Sequence, residues 1–126
     1  MMVKEKVVIV NKYVSNINNN KNVTLDTFFN GKRIDYIKAD IEGMEKKLLE
    51  GCKDILKNNM NVKFILCTYH RKNDELEIKK ILENNEFKTE YSKGYMIWDI
   101  FSEKPYIRRG IIRGAKKLYL AQQSKR

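Results

Sequence analysis

Residue types that stiffen or cross-link a chain are scarce: the sequence has one proline, one tryptophan, one histidine and two cysteines. Cys52 and Cys67 lie fifteen positions apart with no CxxC pair. This spacing gives no disulfide framework, and the two read as reduced core thiols of a cytoplasmic protein. No apolar run approaches the ~20 residues needed to span a bilayer. The start, Met-Met-Val-Lys-Glu-Lys and then four aliphatics, lacks the long apolar stretch and small-residue cleavage site of a signal peptide. Acidic residues are missing altogether after Glu103.

What is present suits a globular domain. Apolar residues make up 42% of the 126 positions and aromatics 10%, well above the composition of disordered chains. A chain of this size forms one domain and hides roughly two thirds of its unfolded surface. The net charge of +10 is unevenly placed: residues 1–103 carry 18 basic and 16 acidic groups, and eight further cations follow from Lys104 onward. The body is nearly neutral and the end is basic. Lys, Asn and Ile crowd the chain as AT-rich coding sequence would make them, so part of the lysine content needs no ligand to explain it.

Along the chain, residues 7–14 with Val7-Val8-Ile9-Val10 read as a strand, and the asparagine-rich run 16–22 as a surface loop. Thr24 to Phe29 suggests a capped turn of helix that delivers two aromatics to the core. Ile34 to Asp40 reads as a strand ending in acid, and Ile41-Glu42-Gly43 as a tight turn. A helix over 43–58 follows, with an apolar stripe of Met44, Leu48, Leu49, Cys52, Ile55 and Leu56. Val62 to Thr68 is a short, mostly apolar run, as expected of a strand covered on both faces. Asn73 caps a further helix whose stripe is Ile78, Ile81 and Leu82. Residues 87–91 and 95–101, linked by Ser92-Lys93-Gly94, suggest a hairpin. The order strand, helix, strand, helix, antiparallel hairpin predicts an α/β fold with a largely parallel sheet.

The segment Ile34 to Gly51 resembles the signature of FkbM-type methyltransferases: a hydrophobic strand, Lys-x-Asp-x-Glu-Gly-x-Glu, then a leucine-bearing helix and a glycine. Lys38, Asp40, Glu42, Gly43, Glu45, Leu49 and Gly51 fall in register, and the likeness extends over about residues 23–101. The resemblance implies the C-terminal half of a class I, Rossmann-like methyltransferase sheet, with residues 34–40 as its fourth strand and S-adenosylmethionine as the family's cofactor. In such sheets the ligand lies beyond the carboxyl ends of the strands. Asp40 and Glu42 stand at one such end, and Tyr69 and His70 at the next. Asp40, Glu42 and His70 are therefore the candidate catalytic residues, and Asp40 and Gly43 the candidate cofactor contacts.

The chemistry suits these residue types. Methyl transfer to oxygen is an in-line displacement that gains most from alignment. A carboxylate complements a sulfonium, and a second carboxylate or an imidazole takes the acceptor's proton. A carboxylate pair can alternatively hold a divalent metal, although the sequence assigns no metal ligands. Plainer roles stand beside these: Asp40, Glu42 and Glu45 as charges at a helix N-terminus, Lys38 as a snorkelling strand residue, His70 as a loop residue, Cys67 as core, and Tyr95 and Trp98 as packing. The resemblance also demands an N-terminal β-α-β unit with a glycine-rich loop, and none of the six glycines lies in that context. The expectation is thus a fragment or truncated form of an O-methyltransferase acting on a sugar or related metabolite, inactive by itself. A non-catalytic binding or scaffolding module is the other reading.

The predicted organisation is 1–22 as strand and linker, 23–103 as half of a methyltransferase domain, and 104–126 as a basic amphipathic tail. In the tail Ile107, Ile111, Ala115 and Leu118 recur at helical spacing among cations, a pattern suited to weak contact with an anionic membrane surface. Residues 23–101 are expected to close their own core without it. An incomplete sheet would expose a strand edge and favour self-association. No nucleic-acid-binding signature is present.

Overall fold

The computed structural model describes residues 6–125. Its centre is a mixed four-stranded sheet built from β3 (Tyr36–Ala39), β4 (Lys63–Cys67), β5 (Phe87–Tyr91) and β8 (Ile111–Lys116), in the order β3-β4-β8-β5. β3 and β4 are parallel, and β8 runs antiparallel to both β4 and β5. Among the described residues five helices accompany them: α1 (Leu25–Phe29), α2 (Glu45–Glu50), α3 (Lys53–Asn58), α4 (Asp74–Asn84) and α5 (Lys117–Ser124). Two minor pairs complete the fold, the parallel β1 (Tyr13–Val14) with β2 (Asn22–Val23) and the antiparallel β6 (Met96–Trp98) with β7 (Tyr106–Arg108). The α/β class expected from the alternating pattern is what forms.

The core lies between the sheet and the α2, α3 and α4 helices. Leu48, Leu49, Cys52, Ile55 and Leu56 of the expected stripe are buried there, with Ile78 and Leu82 from α4 and Phe64, Leu66, Phe87 and Ile112 from the sheet. Phe64 and Phe87 meet edge to face, their centroids 5.4 Å apart, within the roughly 4.5–7 Å of favourable aromatic pairs. Both cysteines are free and buried. Among the described residues no helix is long and apolar enough to cross a membrane.

The predicted 43–58 helix is two helices. Gly51 and Cys52 interrupt it because a β-carbon on Gly51 would come within 2.3 Å of the Ser15 carbonyl oxygen, so the N-terminal segment packs directly on bare backbone. Asp26 stabilises the restart: its carboxylate accepts from the Asp54 and Ile55 amides at 2.9 and 3.0 Å, and its own amide donates to the Gly51 carbonyl. These contacts satisfy amides that a helix N-terminus otherwise leaves open. The strand expected over 7–14 shrinks to Tyr13–Val14, with Val7 to Val10 exposed outside it.

The expected hairpin does not form. Residues 87–91 pair with β8, while 96–98 pair with 106–108 in a separate ribbon. The tail is likewise not one amphipathic helix. Ile111–Lys116 is an interior strand whose inward residues are Ile112, Gly114 and Lys116, and only Lys117–Ser124 is helical. Alternation beats the helical stripe here because Ile112 fills the core and Gly114 admits Leu82 and Phe87 against the backbone; a β-carbon there would lie 3.3 Å from Leu82 Cδ1. Residues 23–101 therefore lack the strand that joins β4 to β5. The antiparallel finish to the sheet comes from β8.

Two of the tail's cations are internal. Lys116 is 3% exposed, and its ammonium donates to the Leu56 and Asn85 carbonyls. Arg108 is 2% exposed, donates to the Tyr69 carbonyl at 2.7 Å and stacks on the Tyr106 ring. The last position, Arg126, lies outside the described residues.

Candidate functional site

The carboxyl ends of the parallel strands β3 and β4 deliver Asp40 and Tyr69-His70 to one place. After Asp40 the chain makes a sharp turn in which Glu42 and Gly43 both take left-handed backbone conformations, with φ of 57° and 88°. Glycine adopts this freely, whereas the conformation is uncommon for glutamate. The turn is closed by the Met44 amide donating to the Ile41 carbonyl. It is reinforced by Glu45, whose Oε1 accepts from the Ile41 amide at 2.8 Å. Glu45 is 0% exposed. The first turn of α2 thereby folds a third carboxylate back beneath the acid pair.

His70 sits among three carboxylates. Its Nε2 lies 3.4 Å from Asp40 Oδ1 and 3.8 Å from Glu42 Oε2, and its Nδ1 lies 3.3 Å from Glu45 Oε1. The imidazole is 6% exposed, Asp40 about half exposed at 51%, and Glu42 almost free at 91%. Tyr69 stacks on His70 with ring centroids 4.1 Å apart, and Trp98 closes on both rings. The Tyr69 hydroxyl donates to Asp40 Oδ1 at 3.1 Å. Burial and that bond to the carboxylate push the phenol up to about 12, so at neutral pH Tyr69 is a donor and not a base. Burial and then the Asp40 charge push the neighbouring Cys67 thiol up to about 11, which keeps it protonated and unreactive.

Beside this cluster lies a cleft of about 500 Å³ whose walls include Lys38, Asp40, Tyr69, Tyr95 and Met96. It offers one carboxylate, one ammonium and aromatic surface, a combination suited to a polyhydroxylated ligand. A cavity of about 470 Å³ at the opposite end of β3, between Arg33 and Asn59, brings together no such cluster.

The structure gathers Asp40, Glu42 and His70 at one point, as the sequence positions suggest. Gly43 is behind them: its α-carbon faces Arg71, and an added β-carbon would come within 2.8 Å of Arg71 Nε. Its open side is thus filled by protein. Glu45 and Trp98 are the members that sequence reasoning left out of the site, Glu45 as a helix charge and Trp98 as packing. One oxygen from each of Asp40 and Glu45 and one nitrogen of His70 lie within 4.8 Å of one another, which makes these three, among the described residues, a group that could hold a metal ion.

Among solved structures the chain is similar to precorrin-6y C5,15-methyltransferase from Geobacter metallireducens. The identity is 12% and the TM-score 0.48, over 76% of this chain and 52% of that one, so the chain spans about half of that protein's length. No curated protein sequence matches it. The profile of the methyltransferase FkbM domain matches residues 12–97, a stretch that holds α1, β3, β4 and the whole Asp40–Glu42–Glu45–His70 cluster. The chain is therefore a member of the FkbM methyltransferase domain family.

Proposed function

We propose that this chain supplies the acceptor side of an S-adenosylmethionine-dependent O-methyltransferase whose substrate is a sugar or related polyhydroxylated metabolite. The observation that carries the proposal is the convergence of Asp40, Glu42 and His70 at the carboxyl ends of two parallel strands, beside a polar and aromatic cleft. In this reading the sheet corresponds to part of a Rossmann-like methyltransferase sheet, in which ligands sit beyond those strand ends.

S-adenosylmethionine supplies the methyl group in such enzymes. Its nucleoside does not fit on the described residues by themselves: the glycine they place in a strand-to-helix turn of the sheet, Gly43, has its open side filled by Arg71. The chain's own residues perform the acceptor chemistry. Asp40, fixed by the Tyr69 hydroxyl, accepts a hydrogen bond from the acceptor and orients it. His70 Nε2, 3.4 Å from Asp40, is placed to take the acceptor's proton as the oxygen becomes a nucleophile. Tyr69 and Trp98 pack on the imidazole and leave it 6% exposed.

The experiment has two arms. Calorimetry on the 126-residue chain with S-adenosylmethionine should give no saturable heat. The chain joined to the cofactor-binding half of another FkbM methyltransferase should methylate hydroxylated acceptors, with Asp40→Asn and Glu42→Gln each lowering turnover more than about tenfold. Wild-type rates in both variants would leave these carboxylates as helix-terminus charges and overturn the assignment.

A further inference from the structure

We infer that Asp40, Glu45 and His70 form a binding site for a first-row divalent cation such as Mn²⁺. Glu45 is wholly buried, its Oε2 has no hydrogen-bond partner, and the ion-pair contact recorded for it is with His70. His70 is nearly as enclosed, at 6% side-chain exposure, and its Nδ1 has no hydrogen bond although it faces Glu45 Oε1 at 3.3 Å. A buried carboxylate and a buried imidazole thus lie against each other, each with a polar atom left without a hydrogen bond. Buried polar atoms left in this condition are uncommon and costly, and a bound ion is one of the standard ways of satisfying them.

The geometry admits a cation. The three donor atoms already lie within 4.8 Å of one another, close to the spread of ligands that share one ion at about 2.0–2.2 Å. Asp40, on the open side, and Glu42 at the rim, with Oε2 3.8 Å from the imidazole, leave the remaining positions to water or to oxygens of a ligand in the adjoining cleft. The buried Asp74 also has a carboxylate oxygen without a hydrogen-bond partner. One imidazole with two carboxylates is too nitrogen-bearing for a calcium site and too oxygen-rich for a thiolate metal; it suits Mn²⁺, Fe²⁺ or Zn²⁺. The site does not depend on the methyl-transfer reading, in which His70 acts as a base: an imidazole that holds the ion does not also take a proton, and the readout here is cation binding and not turnover.

His70 is the sequence's only histidine, so its imidazole proton resonances are a unique reporter. Mn²⁺ titrated into the full chain should broaden those resonances first and saturably, and electron paramagnetic resonance should count one bound ion per chain. Glu45→Gln should weaken binding by at least about tenfold. Asp40→Asn, at a half-exposed position whose loss leaves the core intact, should do the same while amide spectra keep the folded pattern. Broadening that never saturates, or affinity unchanged in Asp40→Asn, would overturn the site and leave the cluster a set of ion pairs.

Discussion

Replacing Ile112 by alanine tests the sheet where structure and helical periodicity diverge most. As a helix, residues 107–118 would bury Ile107, Ile111, Ala115 and Leu118 and leave Ile112 on the polar side. As β8, the chain buries Ile112 completely, opposite Leu66 of β4 and Tyr91 of β5. Removing three carbons from such a site costs the lost transfer energy and the cavity left behind, about 2–5 kcal/mol. That is a large part of the roughly 5–15 kcal/mol that holds a domain together. With a urea slope of about 1–3 kcal/mol/M the unfolding midpoint should fall by at least about 0.7 M and by up to about 5 M. Ile107, 67% exposed on the outer ribbon, is the control, and its alanine variant should stay within about 0.5 kcal/mol of the parent. Urea melts of the three proteins followed by far-ultraviolet circular dichroism decide the matter. A loss below about 1 kcal/mol for Ile112→Ala, or an equal loss for Ile107→Ala, would refute the interior placement of β8.

Gly51→Ala should lower thermal stability by about 1–3 kcal/mol, since its β-carbon would meet the Ser15 carbonyl oxygen, an obstacle of backbone that cannot rotate away. Cys52 and Cys67, pushed up to about 12 and about 11 chiefly by burial, should resist a thiol reagent at neutral pH until denaturant is added; fast labelling of the native chain would contradict their enclosure. Burial holds the Lys116 amine below its ordinary 10.5, so just below that pH the unfolded chain binds more protons and stability should rise with pH. Lys116→Met should flatten that rise in urea midpoints compared between about pH 8 and about pH 10.5. The outer edge of β3 has no ladder partner among the described residues, so sedimentation should show self-association, and a clean monomer at all concentrations would count against edge pairing.

The parts of the fold legible in the sequence are those whose partners are near in sequence. Leu48, Leu49, Ile55 and Leu56 fall on their helices as the stripe requires, and Val62 to Thr68 contains β4, because periodicity alone selects the buried face. Long-range pairing is another matter. Phe87–Tyr91 could close on 95–101 through a short glycine-bearing link or on a strand twenty residues further along, and nothing local separates the two. Ile107, Ile111 and Ala115 fit a spacing of four as well as strands broken by Gly110. Gly114 decides between them only once Leu82 and Phe87 are known to press on it. The break at Gly51 is equally invisible locally, since its cause is the Ser15 carbonyl, thirty-six positions earlier.

The same distinction governs the site. Asp40 and His70 are legible because each ends a parallel strand, and two such ends must lie side by side. Glu45 is not, because a glutamate in the first turn of a helix is ordinarily a solvated charge favoured by the dipole. What sends this one inward is the left-handed pair Glu42-Gly43, which turns the chain so tightly that the α2 N-terminus points back at Ile41 and carries the carboxylate under His70. The glycine that the sequence suggests as a cofactor contact thus acts one step removed: it lets the turn close, and the closed turn brings a buried acid to the histidine. The spacing Asp40, Glu42, Glu45 around a glycine therefore encodes two environments, an open acid pair at the cleft and an enclosed acid beneath it. That enclosed acid, lacking a full set of partners, gives the cluster its affinity for a positive charge.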